Sequence, residues 1–191
     1  MAYSGDMVKG DNIKDGWLMS ARRVPSPNFN QRPADKDINL LVIHNISLPP
    51  GQFGENHIEQ FFTNQLDHSL DPFYKEIEGV EVSSHLFIKR CGEVVQFVSF
   101  DDRAWHAGAS TFQSCDNCND FSIGIELEGE DDLAYTDAQY RSLDVVTQSI
   151  MAAYPSIVLD RITGHEDISP GRKTDPGKAF DWKRYLSSLN H

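Results

Sequence analysis

The sequence contains few cysteines and lacks any long hydrophobic run. Three cysteines in 191 residues cannot form a disulfide framework, which is typical of a reducing compartment. Cys115 and Cys118 form a C-x-x-C pair, but a zinc ribbon needs a second pair, so we interpret both as ordinary loop residues. No apolar stretch approaches the ~20 residues of a transmembrane helix, and the N-terminal segment lacks the apolar core of a secretory signal. We therefore expect a cytoplasmic protein that is not bound to a membrane.

Basic residues are also scarce. The chain has 17 lysines and arginines against 29 aspartates and glutamates, a formal net charge of −12. A protein this acidic is repelled by phosphate backbones, so we do not expect nucleic acid as a partner. A small, freely diffusing substrate fits this charge better. The length suits a single domain; we interpret residues 1–15 as a flexible lead-in and 16–191 as the domain, and we expect a monomer.

Three segments have the hydrophobic pattern of strands. Residues 39–47 are apolar on both faces, which is typical of a central strand covered on each side. Residues 121–129 alternate between apolar and polar side chains. Residues 85–100 predict a hairpin that turns at Cys91-Gly92. A further short strand is predicted around residues 157–162.

Two capping patterns predict helix starts. Asn56 with Glu59 and Thr136 with Gln139 each have the spacing of a capping box. The second precedes an apolar stripe at helical spacing that ends near Pro155, and another such stripe lies at the C-terminus. Strands that alternate with helices predict a single α/β domain with a central mixed β-sheet flanked by α-helices.

Two histidines and one aspartate are candidate metal ligands. His44 lies in the apolar strand, where a lone histidine is more often a hydrogen-bonded core residue. The glycine- and proline-punctuated loop at 163–177 contains His165 and Asp175, and we expect the loop to lack regular secondary structure. Two imidazoles and a carboxylate with one open position form the ligand set of a hydrolytic zinc site. From spacing alone, an ordinary exposed loop remains an alternative.

Two further residues are candidates for catalysis. Glu126 shares a strand face with Glu128 and with Gly124, which leaves space beside the Glu126 carboxylate. Two carboxylates so close would raise the pKa of one of them, which suits a general acid or base. The alternative is that both are exposed on an edge strand. Lys173 could present its ammonium group to a developing oxyanion, or it could be a solvated loop lysine.

Trp105 and His106 form an aromatic wall with an additional imidazole. His106 is interpreted either as a substrate contact or as a structural residue, and the sequence favours neither.

Longer motifs carry a resemblance to a known family, and they extend from Gly16 to Trp182. They are ARRVPSP at 21–27, VIHNISLPPG at 42–51, RAWHAG at 103–108, CNDFSIGIELEG at 118–129, LAYTDAQY at 133–140 and TGHEDISPGRKTDPG at 163–177. The chain resembles the 1,6-anhydro-N-acetylmuramyl-L-alanine amidases of the amidase/peptidoglycan-recognition superfamily.

The resemblance implies one zinc ion per chain on His44, His165 and Asp175, with Glu126 and Lys173 as the catalytic pair. It implies hydrolysis of the amide bond between the lactyl group of (1,6-anhydro-)N-acetylmuramic acid and L-alanine, in cytoplasmic peptidoglycan recycling. The expected partner is a small soluble muropeptide. The expected substrate contacts are Asn45, Phe73, Tyr74, Trp105 and His106.

Three other functions stay open. A peptidoglycan-recognition module that binds without cutting typically lacks a full ligand set, which this sequence has. An amidase that acts on intact cell wall is the second alternative, and the acidic charge and the expected cytoplasmic location argue against it. The third is a zinc-containing structural protein, which predicts metal-dependent folding without turnover.

Overall fold

The computed structural model describes residues 12–190. The strands, in chain order, are β1 (Ile13–Lys14), β2 (Trp17–Leu18), β3 (Arg22–Arg23), β4 (Phe29–Gln31), β5 (Leu40–Ile46), β6 (Leu86–Ile88), β7 (Val94–Gln96), β8 (Asp102–Ala104), β9 (Thr111–Phe112), β10 (Cys115–Asp116), β11 (Ser122–Glu128) and β12 (Ile162–Gly164). The helices are α1 (His57–Phe62), α2 (Pro72–Glu76), α3 (Asp137–Ala153), α4 (His165–Ile168) and α5 (Trp182–Ser188). Single 3-10 turns lie at Cys118–Asp120 and Leu159–Arg161.

A six-stranded sheet in the order β12-β5-β11-β6-β7-β3 forms the centre of the protein. β5 is parallel to both of its neighbours, β11 and β12, whereas β6 and β7 form the predicted antiparallel hairpin. β11 is buried along its whole length, and so is β5 except at its last two residues. Strands covered on both faces need apolar side chains on both, as the sequence pattern indicated. The predicted mixed α/β sheet is confirmed.

The alternation of side chains along β5 and β11 divides the interior. Leu41 and Ile43 of β5 pack with Ile123 and Ile125 of β11 against the apolar stripe of α3. The intervening residues of the same strands point to the opposite face. His44 lies on that second face, which it shares with Leu40 and Val42. The sheet thus supplies a packed core on one side and the candidate site on the other.

The two predicted capping boxes have different outcomes. Thr136 accepts a hydrogen bond from the Gln139 backbone N–H, and the Gln139 side chain accepts one from the Thr136 N–H, so this capping box is confirmed. The box at Asn56 was wrong: within the described residues the Asn56 side chain makes no capping bond. Glu59 instead binds Arg22 at 2.7 Å and Lys89 at 2.9 Å, because two cations attract its carboxylate more strongly than one backbone amide.

Three other local expectations need correction. The last strand covers residues 162–164 rather than 157–162, since a 3-10 turn precedes it. The loop at 163–177 is not free of secondary structure, because α4 forms one helical turn directly after β12. Of the expected lead-in, residues 1–11 lie outside the described part of the chain, whereas Ile13–Lys14 pairs with β2. Within residues 12–190 no helix is long and apolar enough to span a membrane.

Candidate metal centre and cleft

The sheet register brings the candidate ligands to one edge. His44 of β5 lies directly opposite Glu126 of β11. On the other side of β5, Gly164 pairs with Ile43, so His165 follows at the level of His44. The carboxyl ends of parallel strands meet at the same sheet edge, and this explains why residues far apart in sequence converge.

Three donor atoms form a tight triangle. His44 Nδ1 lies 3.0 Å from His165 Nδ1 and 3.1 Å from Asp175 Oδ2. His165 Nδ1 lies 3.1 Å from the same Asp175 oxygen. In a tetrahedral site with metal–ligand distances of about 2.0–2.1 Å, the donor atoms lie about 3.3 Å apart. The triangle therefore has the size required to hold a divalent metal ion with a fourth position open.

Both imidazoles are arranged to direct Nδ1 at this triangle. His165 Nε2 donates to the backbone oxygen of Ala107 at 3.0 Å. His44 Nε2 lies 2.9 Å from His106 Nδ1. A metal-binding histidine commonly donates its other ring N–H to an acceptor, which fixes the tautomer. The Nδ1 lone pairs of both rings are then available to a metal.

Burial controls the charge of these groups. Burial lowers the pKa of His44 to about 4, although the hydrogen bond to Asp175 acts in the opposite direction. Burial of Asp175 would raise its pKa, but hydrogen bonds from His165 and His44 outweigh that effect and hold the pKa well below its usual range. A neutral imidazole and an ionised carboxylate are the forms that bind metals.

Glu126 is buried beside the triangle, with Oε1 3.9 Å from His44 Nδ1. Burial raises its pKa well above the ordinary value, and the charge of Asp175 adds to this. Among the described residues Oε2 has no hydrogen-bond partner. A buried carboxylate oxygen without a partner is costly, and Glu126 is one of the residues that line the cleft described below.

The sequence predicted that Glu128 raises the pKa of Glu126, and this cause was wrong. Glu128 is not one of the charges that raise the Glu126 pKa. Its carboxylate instead accepts hydrogen bonds from the backbone N–H groups of Gly54 and Arg90. Neither glutamate lies on an edge strand, because β11 runs between β5 and β6.

The space at Gly124 is also occupied. A Cβ atom at Gly124 would lie 2.5 Å from Cγ and Nδ1 of His106. The missing side chain therefore makes room for the His106 imidazole, and it does not leave a void beside Glu126. His106 is buried and contacts His44 and Ser122.

A cleft of about 270 Å³ opens onto the donor triangle. The polar residues of its lining include Glu126, Asp175 and Lys173. The apolar and aromatic ones include Phe61, Phe62, Val80, Val82 and Trp105. Lys173 is exposed, as expected of a loop lysine, and lines the same cleft as Glu126. The indole N–H of Trp105 donates to Asn30 at 2.7 Å, which fixes the ring as a wall.

The other expected substrate contacts lie at different distances from the cleft. Asn45 lines it, but its amide donates to Asp131 and to the Pro176 carbonyl. Tyr74 is buried in the second core cluster, where its hydroxyl lies 2.7 Å from His57 Nδ1. Phe73 packs at the edge of that cluster. Neither aromatic residue is part of the cleft wall.

Two residues near the donor triangle, Arg172 and Asn119, were not predicted from the sequence. Arg172 donates to the carbonyls of Ala107 and Ala109 and to Ser169 Oγ, and so joins the loop that follows Trp105 to α4. Asn119 Oδ1 accepts the backbone N–H groups of His106 and Ala107. An arginine or asparagine in a polar loop is ordinary, and only the folded geometry reveals these contacts.

The chain is similar to several known proteins. Residues 34–178 match the family described as N-acetylmuramoyl-L-alanine amidase. A 1,6-anhydro-N-acetylmuramyl-L-alanine amidase, AmpD of Salmonella typhimurium LT2, is 58% identical over 170 residues, which cover 89% of this chain and 90% of the relative. A crystal structure of an AmpD selenomethionine derivative matches with a TM-score of 0.91 at 53% identity, over 93% of this chain and 99% of that one.

A more distant structure contains a ligand. It is the Escherichia coli amidase AmiD in complex with the substrate anhydro-N-acetylmuramic acid-L-Ala-D-gamma-Glu-L-Lys. The match has a TM-score of 0.60 at 27% identity and covers 83% of this chain and 60% of that chain.

Proposed function

The chain belongs to the N-acetylmuramoyl-L-alanine amidase family, and we propose that its substrate is a small anhydro-muropeptide and its cofactor one zinc ion. The bond cleaved is the amide between the lactyl group of (1,6-anhydro-)N-acetylmuramic acid and L-alanine. One observation carries this proposal: three donor atoms converge at 3.0–3.1 Å at a cleft, beside a buried Glu126 oxygen that has no hydrogen-bond partner within residues 12–190.

The donor set suits zinc. Two imidazole nitrogens and one carboxylate oxygen, with an open fourth position, are typical of catalytic zinc sites, whereas Mg²⁺ and Ca²⁺ prefer oxygen ligands. His44, His165 and Asp175 would hold the ion. When bound, zinc lowers the pKa of a coordinated water and polarises a carbonyl oxygen.

Glu126 is proposed as the general base and acid. It removes a proton from the attacking water and returns it to the nitrogen of the leaving L-alanine. Burial raises its pKa well above the usual value, and a carboxylate with a raised pKa is both a stronger base and a more stable proton carrier. Its Oε2, which has no hydrogen-bond partner in the described part of the chain, supports this role.

Lys173 is proposed to stabilise the oxyanion that forms on the lactyl carbonyl. It lines the cleft together with Glu126 and Asp175. An ammonium group placed where negative charge develops stabilises the transition state more than the ground state. Its backbone N–H donates to the carbonyl of Ser169, the C-cap of α4, and this anchors the backbone of Lys173.

The substrate assignment is supported by the relatives. The curated relatives are named for the anhydro-muramyl substrate, and the AmiD complex holds an anhydro-muramyl peptide. A net charge of −12 disfavours adhesion to an anionic polymer. We infer a cytoplasmic, monomeric recycling enzyme in which Trp105 and Asn45 lie around the bound fragment. His106 contacts the ligand His44, and Phe73 and Tyr74 support the cleft from outside.

The test of the activity compares two substrates and two metal states. Zinc-loaded and chelator-treated protein are incubated with an anhydro-muropeptide and with intact sacculi, and released peptide is followed by mass spectrometry. We expect release from the muropeptide by the zinc-loaded protein only. Equal release after chelation would contradict zinc dependence, and efficient digestion of sacculi would favour the wall-active alternative. Stoichiometric binding without release would favour the recognition module.

The catalytic pair is tested with Glu126→Gln and Lys173→Ala. Each variant is expected to lose about 100-fold or more in kcat while it retains one zinc ion per chain by elemental analysis. Lys178→Ala is the matched control, because Lys178 is an exposed lysine of the same region that pairs with Asp132 at 2.9 Å. Normal turnover by either variant would exclude that residue from the mechanism.

A further inference from the structure

One short stretch of chain contacts both imidazole ligands on the side away from the metal position. His106 Nδ1 lies 2.9 Å from His44 Nε2. The carbonyl oxygen of the next residue, Ala107, accepts a hydrogen bond from His165 Nε2 at 3.0 Å. We call these two residues the 106–107 bracket. Two ligands from two different strands thus share a single support.

The bracket is itself held by one side chain. Asn119 Oδ1 accepts the backbone N–H of His106 at 3.1 Å and that of Ala107 at 2.8 Å. Asn119 is buried, with 6% of its surface exposed, and lies in the 3-10 turn that precedes β11. A single amide oxygen therefore fixes the backbone from which both outer contacts come.

The His106 ring is fixed in the same way. Its Nε2 lies 3.1 Å from Ser122 Oγ, and Gly124 provides the space that the ring fills. With Nε2–H of His106 donating to Ser122, Nδ1 is left to accept Nε2–H of His44. This arrangement leaves the Nδ1 lone pair of His44 pointing at the donor triangle.

We propose that His106 and Asn119 are positioning residues that set the affinity of the metal site, by fixing the tautomer and orientation of both imidazole ligands. Outer contacts of this kind raise metal affinity because the ligands need no reorganisation on binding. The inference rests on the proposed zinc site, and it assigns to His106 a role other than that of a substrate contact.

The experiment measures zinc affinity by competition with a chromophoric chelator for the wild type, His106→Ala, His106→Asn and Asn119→Ala. We expect affinity to fall about 10- to 100-fold in His106→Ala and about 10-fold in Asn119→Ala. An asparagine can place its amide oxygen near the position of Nδ1, so His106→Asn is expected to recover most of the loss. The visible absorption of the Co²⁺-substituted proteins should change in His106→Ala and return in His106→Asn.

His85→Ala is the matched control. His85 is a buried histidine whose ring centroid lies 5.7 Å from that of His106, but its hydrogen bonds go to Asp102, Arg32 and the Gly124 N–H. Its loss should lower stability and leave zinc affinity near the wild-type value. If His106→Ala does not fold, the zinc affinities of His106→Asn and Asn119→Ala relative to the wild type test the positioning role.

The outcomes separate the two proposals. A wild-type protein that binds no zinc would refute the proposed metal site itself. A wild-type protein that binds zinc, together with His106 and Asn119 variants of unchanged affinity and unchanged Co²⁺ spectrum, would refute the positioning role alone. An equal loss of affinity in His85→Ala would attribute the effect to general loosening of the core and would also refute it.

Discussion

Gly124 illustrates how a single absent side chain determines the site. The glycine lies in a fully buried strand, where its backbone needs no unusual conformation. Glycine is required here because the imidazole of His106 occupies the volume that a side chain at position 124 would take. The contact between His106 and His44 therefore depends on a residue that belongs neither to the donor triangle nor to the cleft lining.

We predict that Gly124→Ala forces the His106 ring out of its position. The new Cβ would lie 2.5 Å from two ring atoms, and overpacking of this kind typically costs about 1–3 kcal/mol. Urea denaturation of the metal-free variant should show a loss of that size, and zinc affinity should fall with it. A variant with the stability and zinc affinity of the wild type would contradict the prediction, because it would show that the His106 ring tolerates the added methyl group.

For individual residues, the sequence predicted the chemical roles of side chains but not the contacts that those side chains make. The ligand residue types, together with the motifs around them, were enough to predict His44, His165 and Asp175 as a set, and the geometry brings them together. The sequence could not tell that His106 fills the space beside Gly124, or that Glu128 is engaged by backbone amides. Such contacts depend on how separate segments pack, which no local pattern encodes.

The helices show how tertiary contacts override a local motif. Thr136 and Gln139 follow the capping pattern, and Thr136 Oγ1 also donates to the Arg90 carbonyl at 2.7 Å. Asn56 and Glu59 have equivalent spacing, but Glu59 is drawn to Arg22 and Lys89. Likewise, the last strand begins at residue 162, because pairing with β5 decides its limits. Long periodic elements were predicted well, and short ones depended on their neighbours.

We predict unequal effects from two similar substitutions. Thr136→Ala removes a working N-cap and should lower the free energy of unfolding by about 1–2 kcal/mol. Asn56→Ala should change it by less than about 0.5 kcal/mol, because the Asn56 side chain makes no capping bond within the described chain. Chemical denaturation of both variants gives the comparison. Equal losses would mean that Asn56 does cap α1 in solution.

For the whole molecule, buried neutral histidines link stability to pH. Burial, with a smaller effect from Arg32, lowers the pKa of His85 from 6.5 to about 3. In the unfolded chain His85 is protonated below about pH 6.5, whereas in the folded chain it stays neutral down to about pH 3. The contribution of neutral His85 to the free energy of unfolding is therefore fully present above about pH 6.5. It decreases as the pH falls from 6.5 towards 3.

We predict that the free energy of unfolding of the metal-free protein decreases between pH 6.5 and pH 5. His85 alone contributes a slope of up to about 1.4 kcal/mol per pH unit. In His85→Gln the slope should be smaller by about that amount, which urea titrations at several pH values can measure. An identical slope in both proteins would mean that His85 is protonated in the folded state.

The parallel pairing of β5 with both β11 and β12 has a consequence for the order of folding. His44 and Glu126 can meet once β11 has joined the sheet, but two of the three donor atoms come from residues 165 and 175, which follow β12. The donor triangle is therefore incomplete until β12 pairs with β5 and the segment that follows it has folded. Binding of the proposed ion is then coupled to this pairing and should stabilise the complete sheet against separation of β12.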